Sequence, residues 1–360
     1  MKTLKGTALY CGIGNSIATM RKHLEEAATV GINALFTSLQ LPEADKDYLL
    51  QDFPVMVEIA HSYGMVVEAD ISERTSKLFG LDMKDMAVFR RLGVDYVRLD
   101  YAFSDEEIIV ASHNKDNVTI VLNAVSVTDE WLTKLEKSGI NREQICFCHN
   151  YYPMRYTGLT FDEVKEINDT IHRHGFRVSG FIASQSHHRV ACSIGLPTLE
   201  RHREMNVFTA VQEAFLCGMD DLFFGDDFAS LEEMNILASA DPDVVTIRIQ
   251  PFDDGEIADW LLDRTLNQMQ FGLEMILRSN FCTSAFPGNP DNTPSIERRR
   301  GDVTICKTPL LRYSGEIQLI RKDLPADPNI GIIGRIIDED LPLLDTFRSN
   351  KKFRLIRNSI

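Results

Sequence analysis

The chain has 360 residues, 44% of them hydrophobic, enough to bury a sizeable core and to form more than one domain. Its formal net charge of −15 weighs against nucleic acid or an anionic membrane as the main partner. No run approaches about twenty apolar residues, the amino-terminal MKTLKGTALYCGIG lacks an apolar export core, and the seven cysteines are scattered, so a cytoplasmic protein with reduced thiols and no membrane contact is expected.

Along residues 1–240 one phrase recurs. A helix-like run ends in a glycine, and the glycine opens a short apolar strand that ends in polar residues. The glycines are Gly31, Gly64, Gly93, Gly139, Gly175 and Gly218. Their spacing is roughly thirty residues, the length of a βα unit. Each suits the left-handed position just past a helix, where a side chain costs energy. Thr7–Cys11 reads as a strand before the first glycine, leading to Asn15 or Ser16 as a helix cap. Thr119–Asn123 reads as another, with Asp116-Asn117 turning in place of glycine. Strands are therefore expected near 7–11, 33–38, 65–70, 95–100, 118–123, 145–150, 177–183 and 221–225. Eight alternating βα units close into an α/β (β/α)8 TIM barrel more naturally than they spread into an open sheet. Past residue 240 the phrase stops, and VVTIRIQP, DVTICKTPLLRYSGEIQLIRKDLP and NIGIIGRII read as an antiparallel β-rich second domain over 241–360, with one helix at Ile257–Ile276.

In such a barrel active sites are built where the strands end, so the polar residues there are the candidates. Glu68 and Asp70 lie four and six residues after their glycine, and Arg98 and Asp100 lie five and seven after theirs. Residues two apart share a strand face. A buried arginine needs a carboxylate, and Glu68 is expected to supply it, leaving Asp70 and Asp100 at the rim. Asp226 would face them from the end of the eighth strand. Paired carboxylates suit glycoside hydrolysis, in which one donates a proton and the other attacks or stabilises the developing cation.

Asn150, Tyr152 and Arg155 follow the sixth strand and have the chemistry to hold sugar hydroxyls, acetamido groups and phosphate. The segment Ser184–Met205 after the seventh strand carries His187, Glu200 and Arg203 as anion-binding or acid–base candidates. It has no HxH, HExxH or CxxC spacing, so no metal is assigned. Gly12 and Gly14 make only part of a dinucleotide fingerprint. No strand ends in the lysine that a pyridoxal-phosphate enzyme needs.

The strings CHNYYPMRYTGLT, GLPTLERHR, FFGDDFAS and RRRGDVTICKTPLLRYSGEIQLIRKDLP resemble a bacterial family that includes the 6-phospho-N-acetylmuramidases. The family was long described as a domain of unknown function, with some members labelled outer surface protein. The resemblance covers essentially the whole chain. It implies a TIM barrel followed by a cyclophilin-like β domain, and a monomeric or homodimeric cytoplasmic glycosidase without a cofactor. It also implies a small-molecule substrate, N-acetylmuramic acid 6-phosphate joined to N-acetylglucosamine, met in cell-wall recycling. Where the family has an acidic residue soon after the first-strand tyrosine, this chain has Cys11-Gly12. Under that reading Asp70, Asp100 or Asp226 attacks or activates water, and Asn150 and Tyr152 hold the sugar. Arg155, His187 or Arg203 would hold the phosphate, and Arg299 or Arg300 would hold the lactyl carboxylate. The rival readings are a metal-dependent sugar-phosphate isomerase or epimerase and a non-catalytic carbohydrate-binding protein.

Overall fold

The computed structural model describes residues 2–72, 75, 80, 85–99, 103–189, 193–252, 255–262, 264–269, 272, 274–279, 289–347 and 351–358. The chain divides into two units, Met1–Ser239 and Ala240–Ile360.

The first unit is a closed barrel of eight strands: β1 (Lys5–Ala8), β2 (Ala34–Ser38), β3 (Val66–Ile71), β4 (Tyr96–Leu99), β5 (Thr119–Asn123), β6 (Ile145–Cys148), β7 (Val178–Ile182) and β8 (Asp221–Asp227). Each strand runs parallel to the next, and β8 closes against β1. The first strand lies earlier than the 7–11 expected. Its pairing with β8 slips between Gly6 and Ala8, where Ala8 meets Asp227, and Gly12 then turns the chain with φ 79°.

The glycine-led phrase has a local cause. Gly31 closes the helix Ile17–Val30 at φ 95°, and its N–H and that of Ile32 reach back to Ala28 and Ala27. A Cβ would resist that conformation. The other five phrase glycines share the positive φ, and Asn117 takes it at 57°. Helix starts are equally local. Ser16 caps Ile17–Val30 through Thr19 N, and Thr160 with Glu163 forms a capping box before Phe161–Arg173. That helix buries Phe161, Val164 and Ile171, one stripe at helical spacing. Inside the barrel Phe36, Phe181 and Phe223 pack with Tyr10, and the Phe36 and Phe181 rings meet edge to face at 4.9 Å. Such a pair adds about 0.5–1.5 kcal/mol beyond its buried area.

The second unit is a seven-stranded sheet of β9 (Val244–Pro251), β10 (Thr265–Asn267), β11 (Ile276–Arg278), β12 (Asp302–Cys306), β13 (Ile317–Ile320), β14 (Ile330–Ile336) and β15 (Lys352–Arg357), in the order β10-β15-β9-β14-β12-β13-β11. Its pairs are antiparallel except β15 with β9, which run parallel from Lys352 beside Val244 to Arg357 beside Ile249. The helix expected at 257–276 is a short one, Glu256–Leu261. Beyond it lie the β-branched Thr265 opening β10 and Gly272 at φ 77°, both unsuited to helix interior. Arg248 and the buried Asp340 lock this sheet, with guanidinium bonds of 3.1 and 2.7 Å. The cysteines among the described residues are free thiols. Among those residues no helix is long and apolar enough to cross a membrane.

Candidate active site

At the carboxyl-terminal ends of β2, β3, β4 and β6 lies a cavity of about 400 Å³, lined by Gln40, Asp70, Arg98, Asn150, Tyr152 and Arg189 among others. Strand register builds its centre. Asp70 stands between Ser38 on β2 and Arg98 on β4. Arg98 Nη1 donates to Asp70 Oδ1 at 2.9 Å, and Gln40 Nε2 donates to Oδ2 at 2.7 Å. The other guanidinium arm donates to Asn150 Oδ1, which also accepts from Asn123 Nδ2 at 3.1 Å. Asp70 and Arg98 are each only 4% exposed. Their charges therefore meet where water screens them little.

The partner of Arg98 is thus Asp70, not Glu68 as the sequence led us to expect. Glu68 stands opposite Tyr96 one layer deeper, and burial pushes its carboxyl up to about 8, against the pull of Arg98. A neutral acid at that depth needs no counter-ion.

Arg189 brings a second guanidinium to the cavity. It lies 5.1 Å from the centre of the Tyr10 ring and 5.7 Å from that of Tyr151, donates to the Tyr151 hydroxyl at 3.3 Å, and stands 3.6 Å from Glu43. Tyr10 in turn donates to Gly225 O at 2.6 Å. Burial raises the pKa of both phenols, so they remain hydrogen-bond donors. Pattern reading singled out neither Gln40 nor Tyr151 and took Arg189 only as one member of the anion-binding or acid–base segment Ser184–Met205, although each ends or follows a barrel strand.

The remaining expected residues are dispersed. Asp226 faces away from the barrel interior that Phe223 occupies, as alternation requires. Its carboxylate accepts the backbone N–H groups of Ser184 (3.2 Å), Arg189 (3.2 Å) and Leu196 (3.0 Å). It is a loop clamp, fully buried, and burial raises its pKa. The same loop presses on β8 so closely that a Cβ on Gly225 would come 2.1 Å from Leu196 O. Glu200 and Arg203 are bonded to one another and to the loop backbone. Arg203 donates to Glu200 at 2.8 Å and to the carbonyls of Tyr152, Met154, Ile194 and Gly195. Glu200 further accepts the N–H groups of Tyr156 and Gly158, both at 2.8 Å, and Arg203 with these bonds draws its carboxyl down to about 2. Arg155 is exposed and paired with Glu204 at 2.5 Å. His187 stands at the end of β8 beside Asp227. Arg299 belongs to the second unit, where it is exposed and its N–H bonds Asp302 at 2.6 Å. Asp100 lies outside the described residues. Cys148 faces the barrel interior, whereas His149 is held outside it by Asn168 at 2.7 Å. Among the described residues no three His, Cys, Asp or Glu side chains gather as metal ligands.

The chain is similar in structure to an uncharacterized B. cereus protein, with a TM-score of 0.81 at 24% identity over 99% of this chain and 100% of that one. It is also similar to a conserved Enterococcus faecalis protein of unknown function, with a TM-score of 0.68 at 26% identity over 99% and 97%. A search among curated proteins finds no match. Residues 5–239 match the family described as 6-phospho-N-acetylmuramidase, N-terminal, and residues 273–356 match its C-terminal counterpart. The barrel, the strand-end cavity and these two matches together place the chain in the 6-phospho-N-acetylmuramidase family, a family of glycosidases.

Proposed function

We propose that the protein hydrolyses the bond between N-acetylmuramic acid 6-phosphate and N-acetylglucosamine, in the cavity around Asp70, as a step of cell-wall recycling. The observation that carries this reading is the Asp70–Arg98–Asn150 cluster, with its carboxylate at a barrel strand end beside amide groups. Such a carboxylate opposes the positive charge that grows on the anomeric carbon. Asn150, Gln40 and Tyr152 offer the donors and acceptors that sugar hydroxyls and an acetamido group require. Arg189, braced by two phenol rings, takes the 6-phosphate, a role that Arg155 and Arg203 cannot share while they bond Glu204 and the loop carbonyls. Asp100 is retained as the second carboxyl candidate. A separation of about 5–5.5 Å from Asp70 would give retention of configuration, and about 6.5–9.5 Å inversion.

The test is incubation with the phosphorylated and unphosphorylated disaccharides, scored by released N-acetylglucosamine. Cleavage is expected to favour the phosphorylated sugar by about 10–100-fold, the worth of one charge-assisted contact. Arg189→Gln is expected to erase that preference. Failure to cleave either sugar overturns the substrate and leaves the fold untouched.

A further inference from the structure

Glycoside hydrolysis needs a proton for the departing oxygen. Asp70, facing Arg98 at 2.9 Å, is placed to oppose positive charge instead. Another unit on the same rim is built for proton transfer. Asp227, the last residue of β8, is 1% exposed and sits on the interior-facing line of its strand. Asn15 Nδ2 donates to its Oδ2 at 3.2 Å, and its Oδ1 is buried with no hydrogen bond. In front of that oxygen stands His187, with Nδ1 3.3 Å from it and 3.0 Å from the Asp227 carbonyl oxygen. A carbonyl oxygen only accepts, so Nδ1 carries the hydrogen and the lone pair of the neutral ring is at Nε2. Among the described residues nothing bonds Nε2. The imidazole is 44% exposed and the carboxylate behind it only 2%. One nitrogen is fixed from below, and the other is presented outward.

The surroundings hold the ring in that pose. The Ser184 hydroxyl oxygen accepts the N–H groups of Ser186 (3.1 Å) and His187 (3.0 Å), and the hydroxyl donates to Glu233 at 2.9 Å. Glu233, buried on the helix Leu231–Ser239, also accepts from Gln185 N at 2.5 Å and Ser186 N at 3.1 Å. Phe228 follows Asp227 at φ 53°, a region that costs a bulky residue energy. That turn sets its ring edge-on to His187 at 5.8 Å and to His23 at 5.3 Å. Arg189, two residues past His187, lines the cavity of Asp70, and its charge acts on Asp227.

We infer that His187 is the proton-transferring catalytic residue of this hydrolysis and Asp227 the positioning residue that fixes its tautomer and pose. The inference rests on the glycosidase reading above. The imidazolium gives its Nε2 proton to the glycosidic oxygen as the bond from the anomeric carbon breaks, and that bond's electron pair stays on the departing oxygen. Water then forms the new bond to the anomeric carbon and returns one proton to Nε2, so the ring ends as it began. The sum is disaccharide plus water to two sugars.

The test compares the phosphorylated disaccharide with a 2,4-dinitrophenyl glycoside of the same phosphosugar, whose leaving group needs no proton. His187→Gln is expected to lower kcat on the disaccharide by about 10²–10⁴-fold and on the dinitrophenyl glycoside by less than about tenfold. KM should stay nearly constant. Asp227→Asn is expected to show the same leaving-group contrast at smaller size. Nitrogen NMR of the wild-type protein should show hydrogen on Nδ1 of His187, a readout independent of turnover. Equal losses on both substrates, an unaffected H187Q, or a neutral ring with its hydrogen on Nε2 and none on Nδ1 overturns the inference while the glycosidase reading stands. Wild-type protein that cleaves neither compound overturns both.

Discussion

At the amino-terminal mouth of the barrel Arg177 meets Asp221, and at the carboxyl-terminal mouth Arg98 meets Asp70. Both pairs bridge neighbouring strands beside a cavity, and the lower cavity is the larger, about 560 Å³ against about 400 Å³. Volume therefore does not tell the two apart, but partners do. Asp221 is saturated by fixed groups, accepting Leu4 N at 2.6 Å and two guanidinium bonds from Arg177 at 2.7 and 3.3 Å. Those bonds tie the start of the chain to the strand that closes the barrel. Much of the lower lining is apolar, with Leu4, Ile145 and Phe176. At the upper mouth the ion pair is surrounded by the side-chain amides of Gln40, Asn123 and Asn150. Side-chain amides can turn toward a ligand, while backbone groups cannot. The lower pair closes a structure, and the upper pair is ringed by groups that can turn.

That contrast breaks if the two aspartates behave alike under substitution. Asp70→Asn is expected to cut kcat on the phosphorylated disaccharide by about 10³-fold, with the fold retained by circular dichroism. Asp221→Asn should do the reverse. It removes charge from bonds worth about 1.5–3 kcal/mol each, so denaturant unfolding should show a loss of about 2–3 kcal/mol with kcat within about twofold of wild type.

A third experiment sharpens the vertical layering at the upper mouth. Glu68 has a folded pKa of about 8 against 4.5 for the free group. The folded state therefore holds a proton that the unfolded state releases, and stability contributed by the neutral acid is present below pH 4.5 and lost as pH rises to 8. Glu68→Gln should flatten the fall in unfolding free energy across that window, by up to about 1.4 kcal/mol per pH unit. The smallest effect is expected for Arg155→Ala. Its guanidinium pairs with Glu204 on the surface, so turnover and melting temperature should match wild type, and a raised KM would bring Arg155 back into the site.

The barrel was legible because its signals are local. A glycine must follow each helix, a cap must precede it, and the apolar run between them must be a strand. Asp70, Asn150 and Tyr152 were legible for the same reason, as polar residues ending such runs. The Asp70–Arg98 pairing was not, since distance from a glycine leaves the stagger between neighbouring strands undetermined by a pair of residues, and that difference exchanges Glu68 for Asp70. Asp226 turns to the loop backbone because the end of β8 carries two acids in succession and only Asp227 keeps the interior parity. Nor does any local signal reveal that β15 returns to lie parallel to β9, since that pairing joins segments far apart in the chain.

The bonds made by Arg203 have a consequence for how this enzyme can change. The guanidinium grips carbonyl oxygens of Tyr152, Met154, Ile194 and Gly195, groups that every amino acid possesses. The brace is indifferent to which side chains Tyr152, Met154 and Ile194 carry, whereas Gly195, at φ 79°, is kept glycine by its backbone. Two loops bordering the site can thus exchange residues over evolutionary time, and with them preferences among related sugars, without loosening the frame that presents them.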